Sequence, residues 1–97
     1  MTSKPPSMPI GSQPADVPSF GCIVYLSKSG SGVRGRVANL EGIEVDGSDD
    51  RSVLGEVVKQ FRRAISEGIA SENGFHLIEP PMPKQPGERK VFLPVHL

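Results

Sequence analysis

Three stretches of the chain alternate apolar with polar residues at a period of two, and one longer stretch repeats its apolar residues at helical spacing. Val33-Arg34-Gly35-Arg36-Val37-Ala38 and Ile43-Glu44-Val45-Asp46 each place one residue in two on a common face, the mark of half-buried strands. In the first, Val33, Gly35 and Val37 share a face, and Arg34, Arg36 and Ala38 share the other. Phe20-Gly21-Cys22-Ile23-Val24-Tyr25-Leu26 is apolar on both faces and rich in β-branched and aromatic residues, as a well-paired and covered strand would be. Ser29-Gly30-Ser31-Gly32 tolerates positive φ and joins the first strand to the second as a hairpin, and Asn39-Leu40-Glu41-Gly42 turns the chain into the third.

The helical stretch follows at once. Ser48 or Asp49 serves as N-cap, and Asp49 and Asp50 put negative charge where the helix dipole favours it. Val53, Leu54, Val57, Val58, Phe61, Ala64 and Ile65 then form one continuous stripe, the expected core face. Arg51, Gly55, Glu56, Lys59, Gln60, Arg62, Arg63 and Glu67 occupy the opposite side. Gly68 is the expected stop, with Gly74 as a second candidate. Phe75 to Ile78 reads as a short extended piece, and Pro80, Pro81, Pro83 and Pro86 force an irregular connection. In Arg89–Leu97, Val91, Leu93, Val95 and Leu97 fall on one face. Pro94 cannot donate to a ladder, so this last strand belongs at an edge. The order is βββαβ: an α+β two-layer sandwich, with a three-stranded antiparallel meander, one helix across a sheet face and a C-terminal strand.

Composition places the boundary. Ten prolines occur in 97 residues, five of them before Ser19, and none lies between Phe20 and Glu79. Residues 1–19 form an expected disordered Pro/Ser-rich tail, too poor in large apolar groups to offset its ordering entropy. Residues 20–97 form the folded domain. Eleven basic residues balance eleven acidic ones, which gives no overall field to attract a polyanion. The single cysteine, Cys22, excludes an internal disulfide and fits a small buried hydrophobe in a strand of a cytoplasmic protein. No apolar run reaches the roughly 18 residues that a membrane-spanning helix needs.

Gly32-Val33-Arg34-Gly35-Arg36-Val37-Ala38-Asn39-Leu40-Glu41-Gly42-Ile43, followed by Gly47-Ser48-Asp49 and a helix with Val53-Leu54 in its first turns, resembles the HicB antitoxin family. Val37, Asn39, Leu40 and Gly42 fall on the main positions of that family's motif, and Glu72-Asn73-Gly74 resembles the acidic-Gly exit after its helix. Ala38 and Glu41 stand where the family has prolines. The resemblance, over Phe20 to Ile78, implies a partial ribonuclease H-like fold and an antitoxin-like protein that neutralises a small toxin-like partner. The family binds DNA through an appended ribbon-helix-helix or helix-turn-helix segment. None follows Leu97 here, so DNA binding is not expected.

Candidate catalytic chemistry is sparse. His76 and His96 lie without companion ligands, and Ser29-Gly30-Ser31-Gly32 is an ordinary hairpin turn with no lysine opening a helix behind it. Glu44 and Asp46 share a strand face but lack the further acids of a two-metal site. No enzyme, metal or cofactor is expected. The sheet face away from the helix offers more: Arg34 and Arg36 stand opposite Glu44 and Asp46, with Phe92 and either Ile23 and Tyr25 or Cys22, Val24 and Leu26 beside them. Apolar groups ringed by charge suit a protein contact. Tyr25, Arg34, Arg36 and Phe92 are therefore the candidate partner-binding residues, and a homodimer through such faces or through free strand edges is expected. The alternative is a single-stranded RNA-binding module, with Tyr25 and Phe92 stacking bases beside Arg34 and Arg36.

Overall fold

The computed structural model describes residues 19–97. The expected tail lies outside the described residues except for Ser19, which is the first residue of a strand rather than the last of a tail. The elements are β1 (Ser19–Ser29), β2 (Gly32–Val37), β3 (Glu44–Gly47), α1 (Asp50–Ala70) and β4 (Arg89–His96). They form one antiparallel sheet in the order β3-β2-β1-β4 with a single helix, an α+β βββαβ arrangement. Among the described residues, no helix is long and apolar enough to cross a membrane.

Gly30, at φ +61°, and Ser31 make the tight turn between β1 and β2, because Ser29 pairs directly with Gly32. Register then assigns every side chain to a face. Leu26 pairs with Gly35 and Val24 with Val37, while Val24, Cys22 and Phe20 pair with Val91, Leu93 and Val95. These residues lie under α1, which settles β1: Cys22, Val24 and Leu26 face the helix, and Ile23 and Tyr25 face away. Pro94 sits on β4 at the sheet edge, where its missing N–H breaks no ladder.

The helix meets the sheet where the sheet carries no side chain. A Cβ on Gly35 would lie 2.6 Å from Val53 Cγ1, and one on Gly47 would lie 2.8 Å from Val53 Cγ2. Two glycines on neighbouring strands thus set how closely the first turns of α1 can approach. Val53, Val57, Phe61 and Ile65 are completely buried there, whereas Leu54, Val58 and Ala64 are only half-buried at the margin. The core stripe is therefore narrower than the apolar pattern suggests, one residue per turn with a flank.

Asp49 is the N-cap, its carboxylate accepting from Ser52 N at 2.8 Å. Gly68 does not end the helix, which continues to Ala70, with the Ser71 N–H donating back to the Gly68 carbonyl. Gly68 is buried against Phe75, where a Cβ would fall 2.7 Å from that residue's own. Its smallness serves packing between the helix and the chain returning beneath it. The positive-φ position after the helix is Gly74, at +68°. Phe75–Ile78 is not a strand: this stretch is held by packing of Phe75 and Leu77 on the core and by one bond from Ile78 N to the Asn39 carbonyl.

Candidate functional site: the sheet face opposite the helix

Pairing through Arg36↔Tyr25, Tyr25↔Lys90 and Ile23↔Phe92 puts these residues on the face away from α1. The sequence pattern leaves this face bare, but the structure covers its middle. The proline-rich connection crosses it, with Met82 N donating to the Ala38 carbonyl and Tyr25 Oη donating to the Met82 carbonyl at 2.7 Å. Prolines stiffen this crossing and leave carbonyls free to accept. Ala38, whose alternation places it on this face, is consequently buried, and so is Tyr25.

Arg36 fastens the far end of the crossing. Its Nε donates to Glu88 Oε2 at 2.6 Å, and its Nη2 donates to Glu88 Oε1 and to the Pro83 carbonyl, both at 2.9 Å. This is a fork-on-carboxylate pair, and the guanidinium also stands 5.0 Å from the centre of the Tyr25 ring, within cation–π range. Glu88 is nearly enclosed, with 8% of its side chain exposed. The hydrogen bond from Arg36, aided by the one from Gln85 N, holds its carboxyl below the usual carboxylate range despite burial. Although Arg36 and Glu44 are register partners, the guanidinium bonds to Glu88.

The four sequence-derived site residues are thereby separated. Tyr25 and Arg36 form an internal clasp beneath the crossing. Arg34 remains exposed, bonded through Nε to Asp46 Oδ1 at 3.0 Å across β2 and β3. Phe92 is 62% exposed. Its ring lies over Gly21, where a Cβ would fall 2.7 Å from the ring carbons. Beside it lie half-buried Ile23 and exposed Pro94 and Lys90. The uncovered apolar surface is thus centred on Phe92, with Arg34 at the opposite end of the face.

A cavity of about 440 Å³ opens beside the crossing, between Met82, Arg36 and the turn at Glu41, Gly42, Ile43 and Glu44. Gly42 (φ +95°) makes that turn, and Ile43, though just outside β3, is buried and accepts from Val37 N. Among the described residues, no group of three or more His, Cys, Asp and Glu side chains converges as metal ligands would.

The motif residue Asn39 has a defined task. It is the buried polar side chain of the described residues, and β2 ends two residues before it. Its Oδ1 accepts from Ile23 N at 3.1 Å and its Nδ2 donates to the Gly21 carbonyl at 2.8 Å. The amide thus stands in for a strand that has already turned away, and so frees the Ala38 carbonyl to accept from Met82. Sequence reading singles out Asn39 as a turn and motif position. Glu88, Met82 and the glycines under the helix carry no such local signal, since their partners are far away in the chain.

No family model, curated protein or solved structure matches this chain.

Proposed function

We propose that the chain is a small non-enzymatic protein-binding module of HicB-antitoxin type, acting in the cytoplasm by covering the active surface of a small toxin-like partner. The observation that supports this reading is Phe92, a large aromatic side chain 62% exposed on a sheet face whose middle is covered. Around it Ile23 and Pro94 extend the apolar area, and Lys90 supplies charge at its rim. Anchors of this kind, a central aromatic within a polar surround, dominate the energetics of protein contacts. Occluding a partner requires shape and charge and no reacting group.

The single-stranded RNA reading loses one of its two stacking platforms, because Tyr25 is buried beneath Met82 and hydrogen-bonded to it. Sequencing beside the gene for a small toxin-like reading frame, and calorimetric titration of the full chain with the purified product of such a frame, test the proposal. Saturable binding is expected, weakened at least about tenfold by Phe92→Ser, a loss of about 1.4 kcal/mol. Absence of binding, or binding indifferent to Phe92→Ser and Arg34→Glu alike, would remove it. Tight, salt-sensitive binding to a single-stranded RNA oligomer instead would favour the other class.

A further inference from the structure

The backbone edge of β4 makes a prediction that is independent of the partner just proposed. In β1, Ile23 donates to Asn39 and accepts from Ala38 N, and the Gly21 carbonyl accepts from Asn39, so the odd-numbered residues of β1 direct their backbone groups toward β2. The even-numbered ones therefore face β4, and Phe20, Cys22, Val24 and Leu26 exchange bonds with Val95, Leu93, Val91 and Arg89. Lys90, Phe92, Pro94 and His96 must then point theirs away from the sheet. The His96 carbonyl is taken by Arg62 Nε at 2.9 Å, and Pro94 has no N–H. Lys90 and Phe92 are left with free donors and acceptors: no backbone bond outside the sheet reaches them among the described residues.

We propose that this edge pairs with the same edge of a second copy of the chain, antiparallel about a two-fold axis at Val91. In that register Lys90 of each chain lies opposite Phe92 of the other, and both residues' N–H and C=O groups are satisfied reciprocally. Four hydrogen bonds form, and two four-stranded sheets become one of eight. A shift that centred the axis on Phe92 would set Pro94 of each chain against Lys90 of the other, and, with no N–H on Pro94, both Lys90 carbonyls would go without a partner, whereas the Val91 register satisfies every outward group of Lys90 and Phe92. On the face away from the helices, each exposed Phe92 ring lies beside the other chain's Lys90 stem and ammonium, a packing and cation–π contact. The remaining edge, β3, is only four residues long and turns acidic Glu44 and Asp46 outward, as protected edges do. Pairing of β4 with β3 of another copy would not close, whereas β4 with β4 does. The second copy and the partner proposed above both draw on Phe92, so the pairing is tested apart from the partner by the mass of the chain alone and by a cross-link at Val91, which lies on the helix side of β4.

Sedimentation equilibrium of the full chain from about 10 µM to about 1 mM tests the pairing. The expected result is a mass approaching twice 10.4 kDa, with Phe92→Lys weakening association at least about tenfold at unchanged circular dichroism. Val91→Cys provides a direct check. In this register the two copies of residue 91 form a non-hydrogen-bonded pair with Cα atoms about 4.5 Å apart, inside the range of roughly 4.4–6.8 Å that a disulfide spans. Mild oxidation should therefore cross-link it quantitatively, while Glu67→Cys on the helix surface remains uncross-linked under the same conditions. A monomer throughout, a mass that grows past the dimer, or a dimer in which Val91→Cys cross-links no faster than Glu67→Cys would each overturn the proposal.

Discussion

Replacing Asn39 by alanine should destabilise the fold by about 2–5 kcal/mol, a large effect for one polar side chain. Asn39 is 7% exposed, and its amide makes two bonds to β1 just beyond the end of β2. Alanine leaves the Ile23 N–H and the Gly21 carbonyl without partners in a partly buried place, and each such group costs about 1–3 kcal/mol when unsatisfied. The total stability of a chain this size is about 5–15 kcal/mol, so at least about a seventh of it, and at the upper end all of it, is at stake. With a urea slope of about 1 kcal/mol/M, the unfolding midpoint should fall by about 2 M or more. The Ile23 amide should also lose its protection from hydrogen exchange. Asn39→Asp is the sharper control, because a carboxylate can accept from Ile23 but places oxygen against the Gly21 carbonyl. The neutral acid would restore the donor, so the folded pKa of that residue is raised above its unfolded value of about 3.9. Its stabilising effect is then present below about pH 3.9 and lost as pH rises through the folded value, and the deficit of Asn39→Asp relative to wild type should shrink on acidification. A loss under about 0.5 kcal/mol in Asn39→Ala, with Ile23 still protected, would refute this account.

Other outcomes follow from the same structure. Gly35→Ala forces a methyl against Val53 Cγ1 and should cost about 1–3 kcal/mol, whereas Gly55→Ala meets nothing within 4 Å on an exposed helix turn and should stabilise by about 0.5–1 kcal/mol; paired thermal melts compare them. Nothing in the structure explains Gly55. The Glu88 carboxyl, held low chiefly by Arg36, stabilises the fold above its unfolded value of about 4.3 and loses that contribution as pH falls through its lower folded value. The stability difference between wild type and Arg36→Met, measured by urea titration at pH 7 and again near pH 3, should therefore narrow at the acid end. Burial pushes the Cys22 thiol up to about 12. Its stabilisation is complete below about pH 8.5 and is lost as pH rises toward 12, by about 1.4 kcal/mol per pH unit relative to Cys22→Val. At neutral pH, disulfide-exchange labelling of Cys22 should proceed only at the rate of unfolding.

Much of the architecture could be read from the chain because its rules are local. Alternation marked the second, third and last strands, a mixed apolar run marked the first, and spacing of three and four marked α1. Ser48-Asp49 announced the cap, which the structure places at Asp49, and Pro94 announced an edge. These signals act between neighbours in sequence, where backbone geometry alone decides which side chains share a face. Gly68 was misleading for the same reason. Glycine after an apolar stripe usually ends a helix, but here it makes room for Phe75, which returns to the helix only through the tertiary fold.

The candidate site depended on encounters that no local pattern encodes. Tyr25 and Met82 are 57 residues apart, and Arg36 and Glu88 are 52 apart. Whether Tyr25 is an exposed platform or a buried clasp turned on where a proline-rich connection crossed the sheet, and alternation says only which face a residue is on. The sequence alone determined the elements, their order and which residues of β2, β3 and β4 share a face, since these follow from short-range geometry, but not which face of β1 meets the helix. Only the tertiary structure decided what covers each face, leaving Phe92 in the open and the outer edge of β4 without a neighbouring strand among the described residues, because burial and hydrogen-bond satisfaction are settled between segments that meet after the chain has folded.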